Sequence, residues 1–133
     1  RSPALPLSRG RQRSWGGARA RHTNLRLYGG NARCTCLDAM VALMQQHPQL
    51  YVDVSTITWL SPRDAFHEYL RALVRAGFAK RIMFGSDQLY WPEVIGEGIE
   101  AIESAPFLSV GQRRDILYNN AARFLRLDSG VMR

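Results

Sequence analysis

Among the acidic residues of this 133-residue chain, Asp87 has the setting best suited to chemistry. It closes the run Arg81-Ile-Met-Phe-Gly-Ser-Asp87 and precedes a loop-like stretch. A carboxylate at the end of a strand can bind a divalent metal or take a proton from metal-bound water. The competing reading is an aspartate that closes a turn. Other candidates are poorer. Cys34-Thr-Cys36 with His47 lacks the ligand spacing of a zinc finger and reads as two reduced cysteines. His67 lies inside a helical pattern and reads as a packing or surface histidine. Ser86 has no His–Asp partners at hand, and Gly85-Ser86-Asp87 is not a nucleophile elbow. No phosphate-binding glycine loop occurs.

The elements that would position Asp87 follow from caps and periodicity. Leu25 to Tyr28 reads as a short strand. Thr35 and Asp38 have capping-box spacing, and Leu37, Met40, Val41 and Met44 then form one helical face. His47-Pro48 ends that helix, because the residue before a proline avoids the helical region. Leu50 to Ser55 is a strand with Leu50, Val52 and Val54 on one face and Tyr51, Asp53 and Ser55 on the other. Ser61-Pro62-Arg63-Asp64 predicts a second capping box with Pro62 at the first helical position. Phe66, Leu70, Leu73 and Val74 follow as the apolar face, and Gly77 is the stop. Arg81 to Asp87 is the next strand, with Ile82 and Phe84 facing one way and Met83, Gly85 and Asp87 the other. Pro92 opens a helix striped by Ile95, Ile99 and Ile102. Ser109 and Gln112 frame a last helix, with Ile116, Leu117, Phe124 and Leu125 as its apolar side.

Strands alternating with helices imply a parallel α/β architecture. One face of each strand is aliphatic, and the other carries Asp53, Ser55 or Asp87. A doubly wound sheet would cover both faces with apolar contacts. A barrel places working polar groups inside, at the carboxyl ends of its strands. The pattern therefore predicts the C-terminal portion of a (β/α)8 TIM barrel, left incomplete because a closed barrel takes roughly 250 residues. Residues 25–133 form this part. Residues 1–24, rich in Arg, Gly, Ser and Pro and without periodicity, are expected to be a disordered basic arm or sequence of abnormal origin.

Three ordered blocks carry a family resemblance: Tyr51-Val-Asp-Val-Ser55, Lys80-Arg-Ile-Met-Phe-Gly-Ser-Asp-Gln88 and Asp115-Ile-Leu-Tyr-Asn-Asn-Ala-Ala-Arg-Phe-Leu125. Together, over about residues 37–127, they resemble the C-terminal part of amidohydrolase-related proteins. These are metal-dependent hydrolases and decarboxylases of the amidohydrolase superfamily. The resemblance implies a barrel, a divalent metal (commonly zinc), and hydrolysis of C–O or C–N bonds or decarboxylation of a small organic acid. It makes Asp87 the metal ligand and proton acceptor, Asn120-Ala121 a structural pair, and Trp59 and Trp91 lining of the substrate site, against plain loop packing. The family's His-x-His pair and its ligands from strands four and five have no match here. Its strand-six His-x-Gly would fall at Asn31-Ala32-Arg33, where neither residue stands, and His22 is too far upstream to replace it. A catalytic zinc needs about three protein ligands, so the isolated chain is expected to bind none and to be inactive.

Charge and composition set the remaining expectations. The net charge of +7 divides into +8 over residues 1–33 and −1 over the rest. An arm of this kind makes a basic-armed nucleic-acid-binding module the alternative function, though no recognition motif is attached. A third reading is a non-catalytic fragment that self-associates through exposed strand edges or needs a complementary partner. The absent initiator Met, and arginine in 17 of 18 basic positions, point to a fragment. No apolar run approaches the roughly 18 to 20 residues of a membrane span, and no secretory signal is present, so the expected location is cytoplasmic.

Overall fold

A computed structural model describes residues 26–29 and 37–127, with Leu27 described in its backbone only. The expected basic arm, the Thr35 cap, Cys34, Cys36, His22 and the Asn31–Arg33 triplet lie outside those residues.

Three described strands, β1 (Leu27–Gly29), β2 (Leu50–Asp53) and β3 (Ile82–Met83), form one sheet in the order β1-β2-β3. Both pairings are parallel, with Tyr28 opposite Tyr51 and Asp53 opposite Met83. Helix α1 (Leu37–Gln46) lies between the first two strands, and α2 (Ile57–Leu60) and α3 (Arg63–Arg75) between the second and third. After β3 come α4 (Glu93–Glu103) and a terminal helix. The latter consists of α5 (Val110–Arg114), a wider π-type stretch Asp115–Asn119, and α6 (Asn120–Leu125). The fold is α/β with a small parallel sheet.

The aliphatic strand faces make the core. Leu50, Val52, Val54 and Ile82 are fully buried with Met44 of α1, Phe66, Leu70 and Leu73 of α3, Ile102 of α4 and Ile116 of the terminal helix. Spacing at i, i+4 and i+7 puts Phe66, Leu70 and Leu73 on one stripe. Each such side chain stabilises the fold by about 1.5–3 kcal/mol when taken out of water. Local signals fix most ends. The Ser109 hydroxyl accepts the Gln112 N–H while the Gln112 side chain accepts the Ser109 N–H, so the expected capping box forms. Gly77, at φ 88, closes α3: its N–H reaches the Val74 carbonyl and the next N–H, of Phe78, reaches Leu73. The Arg81 Nη1 lies 3.0 to 3.3 Å from the carbonyls of Met44, His47, Pro48 and Leu50, which ties the end of α1 to the start of β3.

Several expectations are corrected. Pro62, with ψ 142, is the residue before α3 rather than its first, and no side-chain cap forms there. Asp64 instead accepts the adjacent Ala65 N–H at 2.9 Å. The ladder of the third strand spans only Ile82–Met83, so Asp87 stands four residues beyond it and not at its end. Leu125 is 63% exposed and does not share the apolar side of the terminal helix. The sheet face opposite the aliphatic one is also partly covered. The Phe124 ring lies 6.1 Å from Tyr28 and 5.2 Å from Tyr51, and Arg26 donates to the Arg123 and Phe124 carbonyls. The edge of β3 is not bare either, because the Phe84 N–H donates to the Ile116 carbonyl at 2.8 Å.

Candidate functional site

Polar side chains gather at and just beyond the carboxyl ends of the strands. Asp53 is the last residue of β2 and is 4% exposed. Its Oδ1 accepts the Ser55 backbone N–H at 3.1 Å and the Ser55 hydroxyl at 2.6 Å, an Asx-type turn that bends the chain out of the sheet. Its Oδ2 accepts the hydroxyl of Tyr28 from β1. A buried carboxylate is tolerated when donors surround it in this way. Gly85 makes the room. A Cβ there would sit 3.2 Å from the Ser55 Cβ and 3.5 Å from the Asp53 carboxyl carbon, so a larger residue would press on the pair.

Asp87 lies one loop further out. Its backbone has φ 51, a left-handed geometry that aspartate visits more readily than most residues. The carboxylate is exposed, and its Oδ2 accepts the hydroxyl of the buried Thr56 at 2.7 Å. Nearby, the half-buried Trp59 donates its indole N–H to the Ser86 carbonyl at 3.1 Å, joining the loop after β2 to the loop after β3. Trp91 is 61% exposed and stacks edge-on against Tyr90. The structure thus brings Trp59 into the Asp87 loop and leaves Trp91 on the surface beyond it. A described groove lined by Glu103, Val110, Arg113, Arg114, Leu117 and Tyr118 contains none of these three residues.

The strand pattern sets Asp53 and Ser55 on the polar face without a role for either, and nothing in it singles out Tyr28 or Thr56. The Asp53-x-Ser55 spacing, the i to i+2 signature of an Asx turn, was a usable signal. Nothing local marks Thr56, whose partner is 31 residues away.

An exposed carboxylate steadied by a hydroxyl can accept a proton or attract a cation. Asp53, by contrast, is buried and its oxygens accept from three donors. Among the described residues no three His, Cys, Asp or Glu side chains are grouped to hold a metal ion. The described residues by themselves therefore do not make up a complete divalent centre, and Asp87 is the carboxylate among them placed to contribute to one.

This architecture, parallel strands with polar groups past their carboxyl ends, is that of an α/β protein with a small parallel sheet. The amidohydrolase family's sequence pattern matches residues 21–127, and the chain belongs to that family. It matches no curated protein and no solved structure. No described helix is long and apolar enough to cross a membrane.

Proposed function

We propose that the chain is the C-terminal portion of a (β/α)8 barrel enzyme, a hydrolase of C–O or C–N bonds or a decarboxylase of a small organic acid. The observation that carries this reading is the family match over residues 21–127. The parallel order β1-β2-β3 and the gathering of Tyr28, Asp53, Ser55, Thr56 and Asp87 at one end of the strands support it. In this reading Asp87 is the chain's contribution to the divalent centre, zinc, that the whole enzyme uses. Thr56 orients it, and Asp53 holds Tyr28 and Ser55 in place beside it. Trp59 braces the two loops, and Trp91 borders the entry for the organic acid. A single carboxylate does not retain a transition metal against water, so the chain by itself is inactive.

Two experiments test the reading. Purified chain with added zinc, assayed against esters, amides, lactones and unsaturated carboxylic acids, should show no turnover. A turnover abolished by Asp87→Ala would overturn the inactivity. Genomic DNA upstream should encode a His-x-His pair in frame. A frame that lacks it would remove the claim that the chain is part of a larger enzyme.

A further inference from the structure

Helix α4 carries acids at Glu93, Glu97, Glu100 and Glu103, and all four are exposed. Steps of four and three residues set them on one face, a stripe about 15 Å long. Among the described residues none of these carboxylates has a hydrogen-bond or ion-pair partner. Gly96 is exposed on the same face. A glycine inside a helix lowers its stability, yet an added Cβ at Gly96 would meet nothing within 4 Å, so no described neighbour calls for one. The groove at the terminal helix has the opposite charge. Val110, Leu117 and Tyr118 are its apolar part, with Val110 70% and Tyr118 41% exposed. Arg113 and Arg114 supply its cations. Arg114 is exposed and has no partner among the described residues, while Arg113 donates to the Ala105 carbonyl at 2.9 Å and keeps a buried, unpaired Nε. From Val110 to Tyr118 the helix runs about 12 Å, close to the length of the acidic stripe. Glu103 belongs to both, so the two faces adjoin.

We propose that these two faces join a second copy of the chain. An acidic patch beside a basic one of similar length is self-complementary under a two-fold axis, which makes the same contact twice. The stripe of each copy lies along the groove of the other. Glu97 and Glu100 meet the partner's Arg113 and Arg114, and the notch at Gly96 admits the partner's Tyr118, which takes apolar surface out of water between the charged groups. The contact uses helix faces and no strand edge, so it is independent of the barrel reading and of the hydrolase reading.

Sedimentation equilibrium on the full chain tests it. The chain should dimerise, and the dimer should weaken as ionic strength rises from about 0.1 to 1 M, where the Debye length falls from about 10 to 3 Å. Arg114→Glu raises the dissociation constant by about tenfold, and so does the pair Glu97→Arg with Glu100→Arg, because each sets like charges against each other. Neither changes the circular dichroism, since the altered side chains are exposed and unpaired. Mixing the two variants restores association, because each reversed face then meets its reversed counterpart. Gly96→Leu fills the notch and weakens the dimer without unfolding α4. A chain that stays monomeric overturns the proposal, as does a dimer that Arg114→Glu leaves intact or a mixture that fails to associate. A dimer weakened by the α4 pair but not by Arg114→Glu would put another cation, such as the arginines of residues 1–33, on the stripe, and overturns it equally.

Discussion

Asp115 shows how a charge is kept inside the molecule. It is 6% exposed, yet Lys80 lies 2.5 Å and Arg123 3.2 Å from its oxygens, and the Asn119 amide donates at 3.1 Å. Burial by itself would raise its pKa. The donated bonds from Lys80, Asn119 and Arg123 outweigh that and hold the carboxyl below its ordinary value. A depressed pKa means the folded state binds the proton less readily than the unfolded chain. Its stabilising contribution is therefore complete above about pH 4, the unfolded value, and is lost as pH falls through the lower folded value. Asp115→Asn should destabilise the protein by about 1–3 kcal/mol at pH 7. In urea titrations the gap from wild type should shrink as pH drops below 4. A gap that persists unchanged at pH 2 would show that the loss comes from packing instead.

At the level of elements, the ends were readable and the faces less so. Pro48, Gly77 and the Ser109–Gln112 pair act within a few residues of themselves, so composition alone located the ends of α1 and α3 and the start of the terminal helix. Gly77 is the clearest case. A Cβ there would meet nothing within 4 Å, so only its φ of 88 resists a side chain. Gly77→Ala should cost about 1–2 kcal/mol, read as a lower melting temperature with no change in near-ultraviolet circular dichroism. What could not be read was long-range. Phe124 turns toward Tyr28 and Tyr51, and Ile116 gives its carbonyl to Phe84, because of contacts more than 30 residues apart along the chain. No local pattern in the sequence distinguishes Asp115–Asn119 from regular helix. The candidate site divides the same way. Asp87 was visible from its place after an apolar run, whereas its partner Thr56 becomes evident only once two loops are side by side.

At the scale of the whole molecule, several large apolar side chains among the described residues are exposed. Leu60, Leu89, Tyr90 and Trp91 are 64%, 88%, 80% and 61% exposed, and all four follow the carboxyl ends of β2 and β3. The double substitution Leu89→Ser with Trp91→Ser should lower the fluorescence of a bound hydrophobic dye while leaving the melting temperature within about 1 °C, since neither side chain is buried. A melting temperature several degrees lower would place these residues in the packing instead.

Arg81 carries a consequence for how the chain could be divided. One guanidinium group grips carbonyls on either side of the Pro48–Gln49 peptide. A protein cleaved at that peptide would have its two new termini still moored to the same side chain, with α1 on one piece and β2 on the other.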